Sequence, residues 1–371
     1  MNLRVERAEL RLVEMPLRSP FETSFGVESR RRCLILHLMG SGWEGWGECV
    51  AGAFPGYSYE TTETAWHVLV DFLLPAVLRR PIADLADFQA RASSVRGHPM
   101  ARAAIEMALW DARGRIEGTP LRHLLGGVRK RVPVGVSVGI QASPERLVEV
   151  VASYVQQGYR RVKLKIKPGR DRDEVAAVRQ AFPDLALQVD ANSAYRLQDS
   201  AALEALDDFG LLLIEQPLEE DDLIDHSKLQ ARLHTPLCLD ESLRSARLAR
   251  QALEIGACRV FNLKPARMGG LTEAVAAHDV GVAGRAPVWC GGMLETGIGR
   301  AANLALASLP GFTLPGDISA SDRYYERDLV RLPFQLNADS TIDVPDGAGL
   351  GVEVDREELD RVTLRSEVIT P

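Results

Sequence analysis

The sequence predicts an α/β protein in which eight parallel strand-helix units make a barrel, joined to an α+β cap drawn from both ends of the chain. Three observations predict it. Five charged residues, Lys165, Asp190, Glu215, Asp240 and Lys264, recur about 25 residues apart through the middle of the chain, close to the roughly 31 residues per unit of a ~250-residue eight-stranded barrel. Each closes a short, mostly apolar run, so each reads as the last residue of a buried parallel strand. From Val132 onward such runs alternate with amphipathic helical stretches, a rhythm absent from the first 125 residues and lost again after about residue 325.

The expected division is therefore 1–125 as the α+β capping domain, 126–325 as the (β/α) barrel and 326–371 as a segment returning to the cap. At 371 residues the chain exceeds the size at which one core usually keeps growing. In the first region Cys33–Leu38 and Trp43–Cys49 flank Gly40-Ser41-Gly42 and read as an antiparallel hairpin. Ala101, Ala104, Ile105, Ala108, Leu109 and Ala112 then recur at helical spacing. Gly118–Arg131, rich in glycine and basic residues, marks the boundary.

Eight barrel strands are expected at Val134–Ile140, Val162–Ile166, Leu185–Val189, Leu211–Ile214, Leu237–Leu239, Val260–Leu263, Pro287–Cys290 and Phe312–Leu314. Breakers such as Lys167-Pro168-Gly169 and Thr235-Pro236 separate them. An open doubly wound sheet shares this pattern, because strand order is invisible in sequence. The charged strand ends favour the modified TIM (β/α) barrel, which gathers consecutive strand ends around one mouth, whereas an open sheet gathers function at a switch point.

Composition narrows the function classes. A net charge of −7 without a basic run argues against nucleic acid as partner. No segment approaches the ~20 apolar residues of a membrane span, and Met1–Leu10 lacks a signal-peptide core. Cys33, Cys49, Cys238, Cys258 and Cys290 are scattered and odd in number, as expected of reduced thiols in a cytoplasmic protein.

Asp190, Glu215 and Asp240 each follow an apolar strand, so on adjacent strands their carboxylates converge on one face. Three clustered anions raise one another's pKa unless a cation neutralises them. A hard divalent ion fits all-oxygen donors, and Mg2+ suits three carboxylates with positions left open for substrate and water. Asn192 and Glu241 are placed to orient those ligands from behind.

In Val162-Lys163-Leu164-Lys165-Ile166 the side chains alternate, which turns Lys163 and Lys165 inward together. At ~3.3 Å per residue their ammonium groups lie about 7 Å apart, an arrangement expected to disfavour protonation and make a general base near neutral pH. Lys264 ends the sixth strand, opposite the second in an eight-stranded ring, so Lys165 and Lys264 would flank a substrate on both faces. The chemistry this predicts is removal of a proton alpha to a carboxylate, with the bound cation offsetting the charge that develops.

The motifs Lys163-Leu164-Lys165, Asp190-Ala191-Asn192, Glu215-Gln216-Pro217, Asp240-Glu241-Ser242 and Asn262-Leu263-Lys264-Pro265 resemble those of the enolase superfamily, muconate-lactonizing subgroup. Pro20–Gly26, Gly135–Gly139, Trp289–Gly297 and Leu314–Ser321 make the chain most similar to the N-succinylamino acid racemase / o-succinylbenzoate synthase proteins. The resemblance implies Mg2+ on Asp190, Glu215 and Asp240, with Mn2+ or Co2+ able to substitute. It also implies Lys165 and Lys264 as the acid/base pair, with Lys163 supporting Lys165. A small carboxylate substrate, a homo-oligomer (dimer or octamer) and a place in menaquinone biosynthesis for the synthase activity are implied too.

By the same resemblance specificity comes from cap loops at Ser19–Gly26 and Ala51–Glu60, with Phe21, Phe25, Phe54 and Tyr57 as apolar walls. Ser137 and the Gly292-Met293-Leu294 backbone are expected to hold the succinyl part. Dipeptide epimerase and muconate cycloisomerase are alternatives on the same scaffold, and a non-catalytic metal-binding barrel is a third. The stretch Asp317-Ile318-Ser319 lacks the second acid of an epimerase.

Overall fold

A computed structural model describes residues 2–371. Strands β1 (Arg7–Thr23), β2 (Gly26–Gly40) and β3 (Trp43–Cys49) form an antiparallel meander, with β2 and β3 joined across Ser41-Gly42. Gly42 sits at φ 77°, a conformation that a tight hairpin demands and glycine adopts without strain. Alternation along β2 splits the residues between two cores. Leu34, Leu36 and Leu38 pack with the cap helices, while Cys33 and Ile35 join the apolar core of the rest of the chain. The sheet is thus packed on both faces.

The helix Pro99–Glu117 lies directly on β3. A Cβ at Gly45 or Gly47 would collide with the carbonyls of Ala108 or Ala104, so these two glycines permit the close approach. Glu48, fully buried on β3, reaches the other core. It accepts hydrogen bonds from Thr296 Oγ1 at 2.7 Å, Thr296 N at 3.1 Å and Gly299 N at 2.9 Å, at the start of the helix Gly297–Ala307. A carboxylate is favoured there by the exposed amides and the helix dipole.

Burial nevertheless pushes the Glu48 carboxyl up to about 7, against the lowering effect of the Thr296 hydroxyl. Its folded value thus exceeds the ordinary 4.5, so its contribution to stability is present below pH 4.5 and is lost as the pH rises toward about 7. Glu60, which accepts from Met100 N and Ala101 N at the start of Pro99–Glu117, is raised to about 7 by burial in the same way. Glu48→Gln should therefore reduce the pH slope of the urea-unfolding free energy across this window and leave the Glu60 share. An undiminished slope would exclude Glu48 as a source.

After the short strand β4 (Arg131–Pro133) the parallel sheet begins. Its strands are β5 (Val136–Val138), β6 (Arg161–Lys165), β7 (Ala186–Asp190), β8 (Ile214–Glu215), β9 (Leu237–Leu239), β10 (Val260–Leu263) and β11 (Val288–Cys290), in consecutive order. Seven strands form where the sequence predicts eight. The expected strand Phe312–Leu314 makes a single bridge from Phe312 to Val288, and four residues later Gly316 bridges Val134. A segment that changes partner so quickly, with Pro315 lacking an N–H, cannot build a ladder. Residues 312–316 touch both edges of the sheet without completing it.

Late in the chain β12 (Thr341–Asp343) pairs antiparallel with β4, and β13 (Thr363–Ile369) pairs antiparallel with β1. All five cysteines are buried and none is paired. Among the described residues no helix is long and apolar enough to cross a membrane.

Candidate active site

Parallel register places the charged residues. Lys165 on β6 is level with Asp190 on β7, which is level with Glu215 on β8. Asp240 and Lys264 stand one residue past the ends of β9 and β10. Lys163, Lys165, Asp190, Glu215, Asp240 and Lys264 are all buried, the lysines because the strands point them into the sheet's concave interior.

The alternation on β6 extends one step further than the sequence reading took it. Arg161, Lys163 and Lys165 share one face, and acids interleave with them. Asp317 meets Arg161 at 2.5 Å and Lys163 at 2.7 Å. Asp190 Oδ2 then meets Lys163 at 2.9 Å and Lys165 at 2.7 Å, and Glu215 accepts from Lys163 at 2.8 Å. Trp289 lies under this ladder, its ring 5.0 Å from the Lys163 ammonium.

Lys264 donates to Asp240 Oδ2 at 2.7 Å, and Arg267 donates to Asp240 Oδ1. Tyr57 differs from the apolar wall expected of it. Its hydroxyl donates to Asp240 Oδ1 at 2.9 Å, and its ring faces the Lys264 ammonium at 4.5 Å. Asn192 accepts from Lys165 at 2.5 Å and donates to Glu241 at 2.9 Å, linking the β7 and β9 ends. Asn262 donates to Glu215 at 2.6 Å.

The expected lowering of the lysine pKa does not occur at Lys163. Burial opposes its charge, but Asp190, Asp317 and Glu215 outweigh burial and carry it well above the ordinary lysine value. Lys264 is likewise raised, Asp240 and Tyr57 outweighing burial. Lys163 and Lys165 are separated by a shared carboxylate, so repulsion between them is not the governing effect.

The acids divide. Burial alone would raise Asp190, yet Lys163 and Lys165 hold it below the usual carboxylate range. Glu215 is driven well above that range by burial and then by Asp190 and Asp240. Glu241 is pushed up to about 8 by burial and then by Asp240 and Asp190. Its Oε2 has no hydrogen-bond partner, nor has Asn262 Oδ1. Among the described residues no three Asp, Glu, His or Cys side chains are grouped around one point. The carboxylates turn instead to ammonium groups. Their all-oxygen chemistry, and the orphaned oxygens of Glu241 and Asn262 beside them, nonetheless fit a hard divalent cation.

Above this floor lies a cavity of about 560 Å3, within the usual range for small-ligand sites. Ser137, Phe21, Phe25, Phe54, Tyr57, Gly292, Met293 and Leu294, the eight residues expected to contact substrate, all line it, as do Lys163, Lys165 and Lys264. The Ser137 hydroxyl is buried and unpartnered. A Cβ at Gly56 would strike the rings of Phe25 and Phe54, so the two cap loops meet each other over the mouth.

Sequence reasoning missed Arg161, Arg267, Asn262 and Asp317 as members of this cluster. Arg161 was accessible from the alternation that revealed Lys163. Arg267 and Asp317 carry no local signal, since their charged partners are 27 residues or more away. Strain adds a last mark. Asn192, Ser193, Gln216 and Leu294 have φ of 43°, 62°, 37° and 58° in the loops after β7, β8 and β11, four of the seven non-glycine residues with positive φ among the described residues, and such strain clusters at functional sites.

Residues 7–126 match the mandelate racemase / muconate lactonizing enzyme N-terminal domain, and residues 146–359 match the enolase C-terminal domain-like family. The chain is 48% identical to an o-succinylbenzoate synthase of Geobacillus stearothermophilus, over 99% of this chain and 98% of that protein. It is 50% identical to an N-succinylamino acid racemase of Thermus thermophilus, over 98% of each. The solved structure of an enolase superfamily member from Listeria innocua superposes with a TM-score of 0.94 at 42% identity, covering 99% of both chains.

Proposed function

Because the chain belongs to the mandelate racemase / muconate lactonizing enzyme family of the enolase superfamily, we propose that its cavity floor abstracts a proton alpha to a carboxylate. The reactions are those in the names of its relatives: formation of o-succinylbenzoate, racemisation of N-succinylamino acids, or both. The observation that carries this reading is the pair of buried lysines, Lys165 and Lys264, that line one cavity from separate strand ends, with Asp190 and Asp240 accepting from them and Glu215 level with Asp190 on the next strand.

Asp190, Glu215 and Asp240 would hold the divalent cation, Mg2+ by resemblance. When bound, it supplies positive charge against the second negative charge that develops on the substrate carboxylate. Asn192 and Glu241 brace this group through their mutual hydrogen bond. Were a cation to take up these acids, Lys165 and Lys264 would lose the counter-ions at Asp190 and Asp240, and the lysine acting as base would release its proton to solvent and work as the neutral amine. One lysine removes the alpha proton. In racemisation the other returns a proton to the opposite face, and in dehydration a single lysine serves as base and then as acid to the leaving hydroxide. Lys163, held between Asp317, Asp190 and Glu215, stays charged and biases the site toward anions.

The epimerase alternative lacks support at Asp317, whose oxygens are engaged by Arg161 and Lys163 and so are not free to receive a substrate ammonium. The resemblance extends the reading to a cytoplasmic homo-oligomer that accepts Mn2+ or Co2+ in place of Mg2+. The deciding test is exchange of the alpha proton. Protein supplied with Mg2+ in deuterium oxide should wash deuterium into N-succinylamino acids, followed by proton NMR, or should form o-succinylbenzoate from its cyclohexadiene precursor. Failure of both reactions would remove the proposal.

A further inference from the structure

The cavity has a second cationic pole that the chemistry at its floor does not use. Arg31, on β2, lines the cavity and is only 4% exposed. Three arginines in a row, Arg30, Arg31 and Arg32, border this end, but they are not equivalent. Arg30 and Arg32 alternate to the other face of β2, where Glu14 accepts from them at 2.6 Å and 2.7 Å. These two are more exposed and are neutralised by the same acid.

Arg31 is held differently. One terminal nitrogen donates to the backbone carbonyl of Val50, and the other meets Glu28 at 3.4 Å, a long contact with a side chain that is about one-third exposed. Its Nε is buried with no hydrogen-bond partner. A guanidinium carries five N–H donors, and the Val50 carbonyl and the long Glu28 contact leave N–H groups of the two terminal nitrogens over for a ligand oxygen. Glycine at position 52 keeps the space beside it open, since a Cβ there would stand 3.3 Å from an Arg31 terminal nitrogen.

The other acids facing the cavity do not compete for Arg31. Glu60 is committed to the amides of Met100 and Ala101, and Asp317 to Arg161 and Lys163. The cavity therefore holds cationic groups at its floor and one under-satisfied, desolvated guanidinium on the cap side. Such a pair of poles suits a small molecule with carboxylates at both ends, and a guanidinium matches the planar carboxylate as an ammonium does not.

We propose that Arg31 binds the far carboxylate of the substrate's acyl arm, the one remote from the carbon that loses its proton. This rests on the reading of the floor as the site of proton abstraction. It makes Arg31 a specificity-determining residue, contributed by the cap, for dianionic over monoanionic substrates. The loops that meet over the mouth then enclose the acyl arm with its charge already matched.

The test compares N-succinyl amino acids with N-succinamoyl analogues, in which a terminal amide replaces the far carboxylate at nearly the same size. Native protein should prefer the succinyl substrate by about 10- to 100-fold in kcat/KM, the range of a hydrogen bond to a charged group. Arg31→Met should collapse that ratio toward unity, and Arg31→Lys should retain part of it. An equal fall in kcat/KM for both substrates in Arg31→Met would overturn the proposal, because a merely structural role moves both together. Native protein that turns over both substrates without preference would also overturn it, and requires no folded variant. Absence of turnover with either substrate would instead count against the reading of the floor.

Discussion

Lys264→Ala should abolish racemisation while leaving the protein able to exchange the alpha proton of one enantiomer only. Lys165 and Lys264 reach the cavity from different strand ends, and in the proposed mechanism each addresses its own face of the substrate. Removing one leaves a single base with no donor opposite. A positioned acid or base contributes about 10²- to 10⁴-fold, so interconversion should fall by at least that factor in Lys264→Ala and in Lys165→Ala. The two variants should retain exchange on opposite enantiomers, read by proton NMR in deuterium oxide with each enantiomer supplied separately. Full racemisation by either variant would remove that lysine from the pair. Dehydration should discriminate between them, since one lysine performs both proton transfers and the other only offsets charge.

Chelation should be as severe. Stripping divalent ions with EDTA should reduce turnover to background, and Mg2+ should restore it. A readout independent of turnover is available, because a cation that binds only the folded state raises the thermal midpoint as its concentration rises. Mg2+ should therefore raise the midpoint of the native protein, and the rise should vanish in Asp190→Asn and Asp240→Asn. Both variants also remove a counter-charge from buried cations, since Asp190 serves Lys163 and Lys165, and Asp240 serves Lys264 and Arg267. Their absolute midpoints should fall for that reason, so the Mg2+-dependent increment is the quantity that decides. A midpoint insensitive to Mg2+ in the native protein, with turnover surviving EDTA, would remove the metal assignment.

The site was legible in sequence wherever a strand determined both neighbours and direction. The spacing of Lys165, Asp190, Glu215, Asp240 and Lys264 located five strand ends, and alternation in Val162–Ile166 turned Lys163 and Lys165 inward. Both are properties of local backbone geometry. The failures lie where partners come from afar. Phe312–Leu314 has the composition of a strand, but its surroundings offer Val288 and then, through Gly316, Val134, so no ladder forms. The electrostatics at Lys163 reversed because Asp317, 154 residues away, closes on it with Asp190 and Glu215. Tyr57 read as an apolar wall because nothing near it in the chain announces Asp240 as its acceptor.

Sequence by itself determined which residues end the strands, which of them face inward, and hence that carboxylates and lysines meet at neighbouring strand ends. Those facts follow from a side-chain period of two and a regular repeat, which the chain carries in its own order. The tertiary structure alone decided which acid neutralises which cation, which donors are left unsatisfied, and that Arg31 differs from Arg30 and Arg32. Charge balance in a buried site depends on groups brought within about 3 Å by long-range packing, and a Coulomb interaction strengthened by burial is set by that distance.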